Sequence, residues 1–421
     1  MIETLFPRDP LQRALTFTTM AAALATGLFF TVSALYFTRV IGLSATAVGL
    51  GLTVAGGAGV LAAYAGGRLA DRYGADRLQL WTTAVQGLAL LAYVFATDLV
   101  AFLSVACVAV GARAMQSTAK NTVVARWFDG SERVVVRARQ RVVTNVFIGL
   151  GTLLAAVALL IGSPTTYQVT MAAVAVLTLA AVLPLVGLRR RIEGLGAAMR
   201  APAPRVDESG ARGAGRSPLR DRTYLAATAL NAVMAMQFGM QTVGVPLWIA
   251  NATEAPTVMV SVMLVVNTAG VALLQVRAAR GTHDLRVAGR TVRRAGALLL
   301  AACLLFAAAG EVGAYAAVGL LLVGEVSLTW AEVAAEAGGW GLAFELADPD
   351  NVGAYQGVSQ TGYALAAMAA PTVVTALAIE HGLSGWLALG CIFLVAGCLV
   401  PVVADRAAAR RAVVVEPEMA A

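Results

Sequence analysis

Charge is scarce in this chain. Only 13% of its 421 residues are Asp, Glu, Lys or Arg, while 59% are hydrophobic and the mean hydropathy is +0.77. A soluble chain of this length buries a large core with far fewer apolar residues, so the composition excludes an ordinary soluble fold. Histidine is scarcer still: His283 and His381 are the two, and both fall in links between apolar runs. No paired His and carboxylate metal motif results. The four cysteines, Cys107, Cys303, Cys391 and Cys398, lie inside apolar runs without metal-ligand spacing. They read as small buried packing residues, not as a disulfide framework. No Gly-Lys-Ser/Thr phosphate loop and no soluble catalytic domain are evident, so the expectation is a non-enzyme with no ATP motor, cofactor or metal.

What the sequence has in abundance is apolar runs of roughly 20 residues, the length that crosses a bilayer as a helix. Twelve are predicted, over 14–38, 43–67, 78–97, 99–124, 140–162, 166–188, 223–250, 256–276, 292–310, 313–336, 352–379 and 384–404. The first follows Arg8 and Arg13 and lacks a clear small-residue cleavage site, so it reads as an uncleaved span, not a signal peptide. Links from even to odd spans are strongly basic and the others are not. Only Arg39 sits in a link of the second kind, and Arg113 and Lys120 sit inside the fourth span. The remaining Lys and Arg gather at the termini and at the even-to-odd links. Cytoplasmic segments carry such an excess, so both termini are expected in the cytoplasm and the protein in the cytoplasmic membrane. The net charge of +7 is thereby a topology signal, not a nucleic-acid footprint.

Residues 189–222 interrupt the pattern. Arg189-Arg190-Arg191 closes the sixth span and a polar stretch rich in Gly, Pro, Arg and Ala follows. It predicts a mobile linker, with a short amphipathic helix near 192–199 as one option. The predicted organisation is an N-terminal six-helix bundle over 1–190, a cytoplasmic linker over 191–222, a C-terminal six-helix bundle over 223–405 and a cytoplasmic tail over 406–421. The fold class is all-α integral membrane.

Between spans 2 and 3 stands the charged turn Gly66-Gly67-Arg68-Leu69-Ala70-Asp71-Arg72-Tyr73-Gly74-Ala75-Asp76-Arg77. Gly67 permits a close helix approach, Gly74 permits a chain reversal, and Asp71 needs a cation or a helix N-terminus as partner. The stretch resembles the Gly-x-x-x-Asp-Arg-x-Gly loop between helices 2 and 3 of the major facilitator superfamily, on Gly67, Asp71, Arg72 and Gly74. The six-plus-six layout extends that resemblance over the whole chain, and the 12-helix drug:proton antiporter branch is the nearest likeness. It implies two pseudo-symmetric six-helix bundles with a cavity at the midplane, and a latch built on these four residues. It also sets the second helix against the eleventh. Gly51, Ala55, Gly59, Ala63 and Gly67 form a small-residue ridge on the second, and Gly353, Gly357 and Thr361 offer a smooth face on the eleventh.

Three charged groups inside spans stand out. Arg113 and Gln116 resemble the family's fourth-helix Arg-x-x-Gln-Gly, with Ser117 in the place of the last glycine; the resemblance ties Arg113 to proton coupling. Gly324-Glu325 resembles a pair in drug-exporter relatives. An ionised carboxylate at Glu325 is expensive in an apolar helix, and a carboxyl that can shed its charge by taking a proton is a candidate proton carrier. Glu332 lies two turns further on the same face, with Glu336 beyond it. Their register is open, and the cytoplasmic mouth is one expected location. Asp348-Pro349 to Gly357 resembles the exporters' Pro-x-x-x-Arg-Gly-x-Tyr-x-Gly approach to helix 11, with Val352 replacing the arginine, and Pro371 matches a later helical proline.

Candidate substrate-binding residues are Gln116, Asn145, Asn231, Gln237, Gln241, Phe29, Phe30, Tyr36, Gln360 and Tyr363. Amides orient a ligand, and Met234, Met236 and Met240 suggest an adaptable apolar wall beside them. The expected function is proton-coupled export of a lipophilic drug or natural product by alternating access. Glu325 carries the proton, Arg113 biases it and Asp71 latches the cytoplasmic side. The expected partners are a small-molecule substrate, protons and the lipid bilayer, with no nucleic acid, and the expected state is a monomer. The rivals are a proton-coupled importer or facilitator of a small polar or anionic solute, and a non-transporting scaffold or receptor.

Overall fold

The computed structural model describes residues 7–201, 205–206, 212–213 and 216–415, with side chains as far as Arg410. Within them twelve helices are long and apolar enough to cross a membrane. They are α1 (Pro10–Val40), α2 (Ala45–Tyr73), α3 (Ala75–Phe95), α4 (Leu99–Trp127), α5 (Gly130–Ile161) and α6 (Pro164–Arg191). The second six are α7 (Arg222–Ala252), α8 (Met259–Ala278), α9 (Leu285–Ala309), α10 (Ala314–Glu345), α11 (Pro349–Ile379) and α12 (Gly382–Arg410). In hydrocarbon every backbone polar group needs an internal partner, which a helix supplies except at its ends. Short polar side chains cover several of those ends. Asp9, Ser44, Asp98, Ser163, Asp221 and Asp284 each accept an N–H from the first turn of the helix they precede.

The described residues form two compact units. One takes the chain up to Asp129, Arg139–Ser217 and Asp348–Ala364; the other takes Gly130–Ala138, Pro218–Ala347 and Leu365 onward. Thus α5 gives its first residues to the second unit, and α11 gives its first residues to the first. The first unit has an aromatic core in which Phe37 stacks edge-on against Phe102 at 4.7 Å between ring centroids and lies 5.0 Å from Tyr93. In the second unit Trp386 lies 5.7 Å from Trp248 and 5.6 Å from Phe306, while Trp248 Nε1 donates to the Phe306 carbonyl at 2.7 Å. Each ring pair contributes about 0.5–1.5 kcal/mol beyond its burial. Such packing matters more in lipid, where apolar contact alone gives helices little reason to associate.

Several sequence expectations shift. Helix α5 begins at Gly130, ten residues before the predicted span, and α10 runs to Glu345, nine residues past it. The expected link between spans 2 and 3 shrinks to one residue, Gly74, whose φ of +97° only glycine adopts without strain. The predicted mobile linker starts as packed structure. A helical turn at Leu195–Ala198 buries Leu195 and Met199, and Ala75 N–H donates to the Met199 carbonyl at 3.1 Å. Residues 202–204, 207–211 and 214–215 of the linker lie outside the described residues; a two-residue antiparallel ladder pairs Arg205–Val206 with Arg212–Gly213. Cys303 is buried as expected, but Cys391 and Cys398 are exposed on the apolar outside of α12.

Candidate functional site

Three groupings bring the sequence candidates together. The first is built on Asp71, at the end of α2. Its Oδ1 accepts the Gly353 N–H at 2.8 Å and its Oδ2 the Ala354 N–H at 2.7 Å. These are first-turn amides of the α-helical stretch of α11, which starts at Val352 after a 3₁₀ turn at Pro349–Asn351, so the carboxylate caps a helix N-terminus supplied from far along the chain. Arg126 of α4 completes the site, its Nη2 2.6 Å from Asp71 Oδ1, with side-chain exposures of 6% and 11%. Arg126 Nη1 also donates to the Arg200 carbonyl at 2.7 Å. The backbones must touch for this geometry to exist. A Cβ on Gly67 would lie 2.9 Å from the Gly357 Cα, and one on Gly353 would lie 2.6 Å from Asp71 Oδ1. Arg72 is not part of the cluster: it is exposed, over the Tyr73 ring at 5.3 Å. The small-residue ridge is shared between neighbours, since Gly51 and Gly59 meet Phe102 and Val110 of α4 while Ala63 and Gly67 meet α11 at Gly357.

The second grouping is a small, partly open recess of about 60 Å³ inside the first unit. Arg113 lines it together with Phe29, Tyr93, Thr26, Gln86 and Thr178. The guanidinium lies 5.4 Å from the Phe30 ring centroid. Gln116 faces elsewhere, donating to Thr83 Oγ1 at 2.7 Å, and Gln360 accepts from Ser117 Oγ at 2.8 Å. Tyr36 does not reach the recess; it is 1% exposed in the aromatic core and donates to the Tyr93 carbonyl at 3.0 Å.

The third grouping lies inside the second unit. Glu325 and Glu332 flank the midpoint of α10, both 1% exposed, with Glu336 buried one turn on. Gln241 Nε2 donates to Glu325 Oε1 at 3.2 Å, and Thr329 Oγ1 stands 3.5 Å from the same oxygen. Asn267 Nδ2 donates to Glu332 Oε2 at 2.8 Å and to Thr329 Oγ1 at 3.3 Å. A chain of polar groups therefore runs Gln241, Glu325, Thr329, Asn267, Glu332. Sequence reasoning passed over Asn267, although a lone amide in the middle of the apolar eighth span was a signal. The methionine wall does not form: Met234 and Met240 pack in the core. Gln237 is 1% exposed with neither amide atom hydrogen-bonded. Asn231 lies against Gly339, and Asn145 and Tyr363 are half-buried. Among the described residues no group of His, Cys, Asp and Glu has the arrangement of a metal site.

Twelve long apolar helices, embedded charges and buried polar chains define an integral membrane transporter. Residues 15–371 match the family model described as Major Facilitator Superfamily, and the chain belongs to that family. Solved structures share its fold at low identity. The human organic anion transporter MFSD10 (TETRAN) is 14% identical with a TM-score of 0.65, over 94% of this chain and 99% of its own. A bacterial homologue of the iron transporter ferroportin, in an outward-facing state, is 12% identical with a TM-score of 0.72, over 96% and 100%. The proton:xylose symporter XylE, bound to 6-bromo-6-deoxy-D-glucose, is 13% identical with a TM-score of 0.62, over 93% and 94%. No curated protein sequence matches.

Proposed function

We propose that the chain is a proton-coupled exporter of an apolar-bodied small molecule in the cytoplasmic membrane, a monomer with both termini in the cytoplasm. The solved relatives carry an organic anion, iron or a sugar, so the choice of substrate rests on this chain's own residues. The observation that carries the proton reading is Glu325. It sits at mid-helix, 1% exposed, and its partners are the amide of Gln241 and the hydroxyl of Thr329. A carboxyl held by neutral donors and by no cation can occupy either protonation state, which a permanent ion pair forbids. Glu325 takes up and releases the proton, Glu332 stands next along the polar chain, and the Asp71 cluster is a latch that breaks and reforms in each cycle. The aromatic recess beside Arg113 holds substrate.

The test uses purified protein in liposomes with an imposed pH gradient. Lumenal pH is followed while lipophilic cations, neutral drugs and organic anions are added, for the natural protein and for Glu325→Gln. Substrate-dependent proton flux that disappears in the variant is the expected result. Substrate movement indifferent to both the gradient and the substitution sinks the proton mechanism.

A further inference from the structure

Arg113 is a charge set in the middle of a spanning helix. It stands fourteen residues from each end of α4, Leu99 and Trp127. At 1.5 Å per residue that is about 21 Å, further than an arginine side chain reaches toward either end. A cation at such depth costs about 2.5–3.5 kcal/mol even on insertion scales and is ordinarily paired. Arg113 has no hydrogen bond and no ion pair among the described residues; its one contact of note is the Phe30 face at 5.4 Å. Its side chain is exposed by area and lines the recess.

The rest of the lining says what complements it. Phe29, Leu90, Tyr93 and Val174 make most of the wall apolar, with Thr26 and Gln86 as isolated polar groups. A guanidinium presents a planar fork of N–H donors that matches a carboxylate two bonds at a time. One positive charge balances one negative charge; a dianion would bring an uncompensated charge into an apolar recess. The enclosed part measures about 60 Å³, room for a carboxylate, and the recess is partly open, so the body of a ligand extends beyond it. The geometry points to an organic monoanion as the ligand of this recess: one carboxylate seated on Arg113, carried on an apolar body that leaves by the open side past Phe29. This deepens the transport reading by naming its substrate class, and depends on it for passage across the membrane but not for binding.

The experiment is equilibrium binding to the full chain in lipid nanodiscs by titration calorimetry, with no gradient. The probes are 2-naphthoate, its neutral isostere 2-naphthamide and the cation 2-naphthylmethylammonium. The acid is expected to bind at least tenfold tighter than the amide, about 1.4 kcal/mol, with the cation weakest. Arg113→Gln is expected to erase the preference for acid over amide. Arg113→Lys keeps the charge but loses the fork, and is expected to retain a reduced preference, which holds the test open should the glutamine variant misfold. Three results overturn the inference: acid and amide binding alike in the natural protein, no binding of the acid up to about 10 mM, or undiminished acid binding by a folded Arg113→Gln. Acid preference without any flux in liposomes counts against the transport reading alone. Proton-coupled flux without acid preference counts against this inference alone.

Discussion

Asn267 in α8 donates to Glu332 in α10 at 2.8 Å, and the same amide nitrogen reaches Thr329 at 3.3 Å. One side chain thus ties two successive turns of α10 to a neighbouring helix, and it joins Glu332 to Glu325 through Thr329. Replacing it by leucine keeps the bulk and removes the donor. Asn267→Leu is expected to destabilise the protein by about 1–3 kcal/mol, the range for losing a hydrogen bond to a charged or buried acceptor. Substrate-driven proton flux is expected to slow as well. Thermal unfolding and the liposome assay read the two effects; an unchanged melting temperature with unchanged flux contradicts the bond.

Asp71 and Arg126 form one unit with the first turn of α11. Asp71→Asn keeps one oxygen acceptor and loses the charge, while Arg126→Ala leaves the carboxylate with the two backbone amides. Because both act on the same cluster, their stability effects are expected to be non-additive by about 0.5–3 kcal/mol. A double-mutant cycle on thermal unfolding checks this, and strict additivity is the adverse result.

Two glycines on α2 make a matched pair. Gly67 leaves no room for a methyl group, because backbone atoms of Gly353 and Gly357 occupy that space. Gly57 has nothing within 4 Å of where its Cβ would stand. Gly67→Ala is expected to cut transport at least about tenfold by forcing two backbones apart. Gly57→Ala is expected to leave the rate within about twofold and to firm the helix slightly. Rates measured side by side in liposomes decide it, and equal rates in the two variants refute the close contact.

Arg189 holds Asp76 by two hydrogen bonds, from Nε at 2.6 Å and Nη2 at 2.7 Å, with side-chain exposures of 22% and 8%. The pair anchors the end of α6 beside the turn at Leu195–Ala198. Its partial exposure keeps its worth to about 1 kcal/mol. Arg189→Ala is expected to loosen residues 192–201 and to speed tryptic cleavage after Arg200, and lysine is expected to restore little, since it lacks the fork. Cleavage at the natural rate in the alanine variant removes the anchor from consideration.

The twelve spans were legible because apolar length is a signal that one sequence carries in full. Helix ends were less so, and the misses have physical causes. The start of α5 is dense in arginine, which reads as a link. In the structure Arg133 lies 3.6 Å from Glu345 and Arg137 stacks on the Trp340 ring at 5.1 Å, so partners distant in sequence make those charges tolerable in a helix. The end of α10 contains Gly338, Gly339 and Gly341, which read as breakers. Two of them are packing surfaces instead: a Cβ on Gly338 would meet Val292 and Ala288 of α9, and one on Gly341 would meet the Thr282 carbonyl.

Among the site candidates, the pattern at Asp71 was readable but its cation was not. Arg72 adjoins Asp71 in sequence, yet helix geometry turns it outward and Arg126 fills the place, 55 residues on. Composition could not separate a core aromatic from a lining one, so Tyr36 and Phe29 looked alike before their packing was known. The same holds for Met234 and Met240.

The position of Arg113 has an electrical meaning. A charge halfway along a spanning helix feels about half of whatever potential falls across the bilayer, and a full crossing by one elementary charge is worth about 2.3 kcal/mol per 100 mV. When the recess is empty, any rearrangement that shifts water and field lines around that cation is a displacement current. When the anion proposed above neutralises it, that contribution is cancelled, and the charge left to move is the one Glu325 carries when it has released its proton. On the proposed mechanism the loaded and unloaded halves of the cycle therefore respond differently to voltage.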